Sequence, residues 1–350
     1  MRLVRVDELQ EGMIIAEDIV GKYDIMLLTS GTIISYNHIE NLRKLDIKFV
    51  YVMEKEIEDE EIKKDDIIII DREINKEYNK TMDSFKNVYK SFGSGKKMEV
   101  EVVEQAITPL IAEVVKNNNV LGRLRQIEVN DEYTYKHSVD VCMLATMMGK
   151  WMGYSEDELR KLSMSALLHD IGKAKIPIEI LNKPDKLTVE EFEIIKKHTV
   201  YGYEMAKCMP NIHSDVFYGI LQHHERMDGS GYPFGVKGDK IHEYAKIIGI
   251  ADVFDAMTSN RVYKEKESPF KVAELIVENS FGILDPVIAN VFLSNISKFY
   301  VGNIVKLNTG QTGEIILVNR ESPTRPLVKI NEEFVDLSKD YHYEIVDVIA

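Results

Sequence analysis

Leu167-Leu168-His169-Asp170-Ile171-Gly172-Lys173 and His223-His224-Glu225-Arg226-Met227-Asp228-Gly229-Ser230-Gly231-Tyr232-Pro233 are the two stretches on which the reading of this chain turns. Taken singly, a His-Asp dipeptide or a His pair is ordinary, and one histidine on an apolar helix is usually a core or surface residue. The order along the chain carries the information: His137, His169-Asp170, His198, His223-His224, then Asp252. Neutral imidazoles and carboxylates suit borderline divalent metals such as Fe, Mn and Zn. A carboxylate beside a histidine can bridge two ions. Two ions about 3.5–4 Å apart can hold a phosphate and stabilise both the attacking and the leaving oxygen of a displacement.

Working outward, these residues sit in a long helical stretch. Ser155 with Glu158 and Thr188 with Glu191 are capping boxes, and Ser268-Pro269 and Asp285-Pro286 each place a cap before a first-turn proline. Val102, Val103, Ala106, Ile107 and Leu110 form an apolar stripe, with Pro109 expected to kink the helix or open a new turn. The ends read differently. Met13–Ala16, Ile25–Leu28 and 47–52 are strand-like, with a short helix over Asn37–Leu45, and 54–66 is a charged link. Val305–Leu307, Gly313–Val318 and Pro326–Ile330 are again strand-like. The fold class expected is mainly α: a helical domain over 98–299, preceded by a small β-rich module over 1–70 and a helical linker over 71–97, and followed by a small β-rich module over 300–350.

The bulk composition narrows the function. With 350 residues, 45% hydrophobic content and a net charge of −14, the chain is globular and acidic. That charge argues against DNA or RNA as a partner, which needs a basic surface. An anionic substrate would then need local positive charge, which bound metals supply. Cys142 and Cys208 are far apart and form neither a disulfide framework nor a Cys-based zinc site. No segment reads as a signal peptide or a membrane span. A cytoplasmic location is expected.

The two opening stretches resemble the HD and HHE-DGxGYP signatures of the HD-GYP subgroup of HD phosphohydrolases. Ile180–Pro184 and the segment Ala251-Asp252-Val253-Phe254-Asp255-Ala256-Met257-Thr258-Ser259-Asn260-Arg261-Val262-Tyr263 are similar to further blocks of that family, and the likeness runs from about Asp131 to Val277. It implies an HD-type helical bundle and a cyclic di-GMP phosphodiesterase in signalling, giving linear pGpG and then GMP by attack of a metal-bridging hydroxide. It also implies roles for individual residues. His137, His169, Asp170 and Asp252 would hold one ion, and Asp170 would bridge to a second held by His198, His223 and His224. Lys173 would contact the substrate phosphate, and Arg261, Lys264 and Tyr232 would contact the dinucleotide. Fe or Mn is expected first, with Zn accommodated.

The chain departs from the family at several points. Tyr133 stands where some members carry a Glu for a third ion, so two ions are expected, with Glu132 keeping a third open. Thr199 and Asp185 replace a usual Pro and a common Gly. His38, His213, His242 and His342 are expected to be structural. Three other readings stand beside this one: a non-catalytic cyclic di-GMP receptor, an HD phosphohydrolase for another nucleotide, and a di-iron oxygenase. The flanking modules are expected to regulate, to form a homodimer or to bind a protein partner.

Overall fold

The computed structural model describes residues 2–349 apart from 11, 21–25, 29, 31, 33, 35, 46, 54–63, 95–98, 117–132, 184, 260–265, 320 and 332. The N-terminal region runs β1 (Arg2–Arg5), β2 (Ile19–Val20), β3 (Met26–Leu28), α1 (Tyr36–Lys44) and β4 (Phe49–Val52). Next come α2 (Lys64–Gly93), α3 (Val100–Lys116), α4 (Tyr133–Trp151) and α5 (Glu156–Leu168). A 3-10 turn over Ile171–Lys175 leads to α6 (Ile178–Leu181), α7 (Val189–Lys196), α8 (His198–Lys207) and α9 (Ser214–Gln222). The helical part closes with α10 (Glu243–Thr258), α11 (Pro269–Asn279) and α12 (Pro286–Ile296), before β5 (Ile304–Leu307), β6 (Thr312–Asn319), β7 (Ser322–Ile330), β8 (Glu333–Asp336) and β9 (Ile345–Val348). Among the described residues no helix is long and apolar enough to cross a membrane.

Two helices form the centre. Residues 137–149 of α4 are buried without interruption, the pattern of a helix surrounded on all sides. α10 buries Tyr244, Ala245, Ile247, Ile248, Ile250, Ala251 and Phe254 against it. Removing one such side chain, Leu144→Ala for instance, would cost about 2–5 kcal/mol. Both capping boxes form: the Ser155 and Thr188 hydroxyls accept from the Glu158 and Glu191 amides, and each glutamate bonds back to its cap amide. Asp285 caps α12 by accepting from the Val287 and Ile288 amides, whereas the Ser268 side chain makes no cap bond to α11. His213 and His242 are caps too, accepting from the Asp215 and Tyr244 amides through Nδ1.

Three local expectations change. The α3 helix continues past Pro109, so no new helix opens there, and Val102 of its stripe is exposed. The boundary placed at residue 70 falls inside α2, because the run Ile67–Ile70 belongs to a 30-residue helix. Among the described residues Met13–Ala16 forms no named strand; Ile14 and Ile15 make isolated bridges, that of Ile15 to Val52.

The two ends of the chain also do not make separate sheets. β1 pairs with β4, while β2 and β3 join the C-terminal strands through Met26 opposite Val318, giving a seven-stranded sheet. A bulge in β6 switches faces. Ile315, paired with Val328, packs with the helical core, whereas Leu317, paired with Leu327, packs with the N-terminal core of Val4, Ile15, Leu42 and Val52. The C-terminal sheet is thus a shared wall between the two.

Candidate metal centre

Seven side chains from five separate segments converge. The ligand atoms of Asp170, His198, His223 and His224 lie within 4.8 Å of one another, as do those of His137, His169 and Asp252. Asp170 stands between the groups. Its Oδ2 is 3.3 Å from His169 Nε2 and 3.8 Å from His137 Nε2, and its Oδ1 is 3.3 Å from His198 Nε2.

Local folding explains why the rings point inward. The last carbonyls of a helix have no partner within it. His169 follows α5, His223 follows α9, and His198 follows α7, so each can reach back three residues. Their Nδ1–H groups donate to the carbonyls of Ala166 (2.8 Å), Ile195 (2.7 Å) and Ile220 (2.7 Å) for His169, His198 and His223 respectively. This fixes the tautomer and leaves each Nε2 lone pair facing the centre. His137 lies inside α4, where the carbonyls are taken. It uses a side chain instead, donating from Nδ1 to Asp255 Oδ2 at 2.7 Å.

Asp255 is absent from the residues singled out by sequence. Its signal was its spacing: three residues after Asp252 on α10, it shares that helix face. Behind it, buried Asp140 accepts from Tyr78 of α2 (2.7 Å) and Lys136 (2.5 Å). Asp140 is raised to about 7 by burial and the charge of Asp255, against the pull of Lys136.

The electrostatics divide the site. Burial pushes His198 down to about 4 and holds His223 and His224 well below the ordinary imidazole range, so all three are neutral near pH 7. Burial also opposes charge on His137, but the hydrogen bonds to Asp252 and Asp255 override it and carry it to about 10. Burial disfavours ionised Asp170, yet Lys173 and His169 win and hold it well below the usual carboxylate range. Asp252 is held low in the same way, against burial, by His137.

The donor set fits cations. The Nε2 atoms of His198 and His223 face each other at 3.3 Å, although both rings already carry their proton on Nδ1. Two lone pairs so placed repel, and a cation between them removes the conflict. His169 Nε2 and Asp170 Oδ1 are buried with no hydrogen-bond partner, a costly state for polar atoms unless a metal takes them. Five imidazoles and two carboxylates suit Fe, Mn or Zn better than Mg.

Around the cradle, Lys173 lies in the 3-10 turn rather than one helical turn beyond His169. Its Nζ contacts Asp170 Oδ2 at 2.5 Å. Gly172 lets that turn press on α8: a Cβ there would collide with the His198 carbonyl and the Gly202 amide. In the Gly-rich loop Gly229 has a positive φ of 83°. Gly231 does not, and is needed for close approach, since a Cβ would strike the His224 carbonyl and the Arg226 amide. Buried Glu225, quoted in the HHE signature but given no role there, ties the loop down by accepting from the Phe234 (2.8 Å) and Val236 (3.1 Å) amides. The Tyr232 ring lies 4.6 Å from His224, tilted by 31°. Arg261, Lys264 and Glu132 lie outside the described residues, as does the side chain of Tyr133.

Comparison with known proteins agrees with this architecture. Residues 120–288 match the HD domain family. The chain is 32% identical over 244 residues to the cyclic di-GMP phosphodiesterase PA4108 of Pseudomonas aeruginosa, covering 70% of this chain and 59% of that one. It is 35% identical over 187 residues to the 3′3′-cGAMP-specific phosphodiesterase 1 of Vibrio cholerae, covering 52% of this chain and 42% of that one. The chain therefore spans about half the length of these relatives. Among solved structures, Bd1817, an HDG"Y"P protein from Bdellovibrio bacteriovorus, superposes with a TM-score of 0.54 at 19% identity, over 83% of this chain and 97% of that one, a likeness of fold.

Proposed function

We propose, for a chain whose residues 120–288 are an HD domain of the HD-GYP kind, that it hydrolyses a cyclic dinucleotide, cyclic di-GMP first, at a pair of divalent ions. The observation that carries this reading is the convergence of imidazole lone pairs and carboxylate oxygens on two adjoining positions with Asp170 between them. His137, His169, Asp170 and Asp252 would hold one ion, and Asp170, His198, His223 and His224 the other. Fe or Mn is the first choice, and Zn is accommodated. Such a pair supplies Lewis acidity toward a phosphodiester and acidifies water toward neutral pH.

The protein's own part is positioning and charge. Backbone carbonyls hold three of the rings in one tautomer, and Asp255 holds a fourth. Lys173, close beside Asp170, would offset charge on a non-bridging phosphate oxygen. Hydrolysis breaks a P–O3′ bond, the water oxygen going to phosphorus and a proton to the 3′ oxygen. Linear pGpG is the first product and GMP the second. A cytoplasmic setting agrees with two unpaired cysteines. Regulation through the flanking modules, by a protein partner or a second copy, belongs to the same reading.

The test is incubation of metal-reconstituted protein with cyclic di-GMP and, in parallel, 3′3′-cGAMP, with products separated and bound metals counted. Turnover with two ions per chain is expected. Tight binding without turnover at full metal occupancy would replace the enzyme with a receptor, and turnover of 3′3′-cGAMP alone would change the substrate.

A further inference from the structure

Beyond the cradle, one line of side chains leads outward to solvent. The Tyr232 ring covers His224 and stands edge-on to His198 at 6.3 Å. Phe192 on α7 meets Tyr232 edge to face, with centroids 6.3 Å apart and planes at 80°. Lys196, one turn further along α7, holds its ammonium 4.9 Å from the Phe192 centroid and 5.7 Å from that of Tyr232. The α7 helix ends at Lys196, two residues before His198, so this wall is built on the same backbone that presents a metal ligand.

Two features distinguish it from ordinary surface. Phe192 is 44% exposed even though it packs on a tyrosine that borders the buried cradle. Lys196 is held by Glu193 at 2.6 Å, but that glutamate is largely exposed. Exposed pairs of this type contribute little, so a phosphate could take the place of the carboxylate at small cost. An open aromatic face beside an exchangeable cation is the chemistry that grips a nucleotide: rings stack on bases, and lysine meets phosphate as a point charge.

We infer that Phe192 and Lys196 form a distal subsite for the half of a cyclic dinucleotide remote from the bond being cut, Phe192 stacking on its base and Lys196 meeting its phosphate. The inference rests on the proposed function and deepens it. It gives α7 a part in selecting cyclic dinucleotides over simpler diesters.

The test compares cyclic di-GMP with bis(p-nitrophenyl) phosphate, a diester too small to reach α7. Phe192→Ala and Lys196→Ala should each lower the ratio of kcat/KM for the dinucleotide to that for the small diester by about tenfold, mainly through KM, the scale of one lost base stack. Phe192→Trp and Lys196→Arg should restore the ratio, with the metal content of every variant equal to that of the parent. A ratio within about twofold of the parent's overturns the subsite, whether both activities persist or fall together. If the parent turns over neither substrate, the functional reading fails separately. Calorimetric binding of cyclic di-GMP to the same variants then decides: about tenfold weaker binding supports the wall, and unaltered or undetectable binding ends it.

Discussion

The two halves of the metal cradle reach similar geometry by different means. Around His198, His223 and His224 the rings that have a fixed tautomer are held by backbone carbonyls at helix ends, and burial keeps all three neutral. Around His137 the orienting group is a side chain, Asp255, and the ring is drawn toward its charged form by two carboxylates. A backbone anchor cannot be removed by substitution, whereas a side-chain anchor can. One half is therefore fixed by the helix path; in the other His169 keeps a backbone anchor and His137 alone is open to tuning by residues behind it.

Asp170→Ala, the most damaging change expected, strikes the group common to both halves. Activity on a phosphodiester and occupancy by both ions should be lost, as read by product analysis and metal counts; a variant that keeps two ions would show that Asp170 does not join the halves. Gly172→Ala should act on the backbone-anchored half. A side chain there forces the 3-10 turn off the His198 carbonyl, at about 1–3 kcal/mol in stability, and should depress the occupancy of one ion, measured by chemical denaturation and elemental analysis. Of the metal-facing rings, Asp255→Ala releases His137. The loss should be about 10–100-fold in affinity for one ion, with the other retained, and equal weakening of both would erase the distinction between the halves. Ser155→Ala lies outside both. It should cost about 1 kcal/mol of stability through the lost cap while kcat/KM stays within about twofold, since no ligand moves.

Legibility in the sequence followed the range of the interaction. The caps at Ser155, Thr188 and Asp285 were readable because each involves residues two or three apart. The seven converging residues stood out through motif and order. Asp255 did not, since a carboxylate one turn from Asp252 looks like any polar helix position until His137, 118 residues earlier, is seen beside it. The start of α2 was placed too late: the boundary at residue 70 left Ile67–Ile70 with the N-terminal module, whereas the helix begins at Lys64. The seven-stranded sheet was hidden because Met26 opposite Val318 is a pairing that no local pattern announces.

That pairing has a mechanical meaning. Strands near the two ends of the chain clasp each other across the β3–β6 pairing, and the helical domain lies between them in sequence. The helical segment is then a loop drawn closed by a knot of strands. Loosening the knot would unfasten a sheet edge and release both ends of the helical segment together.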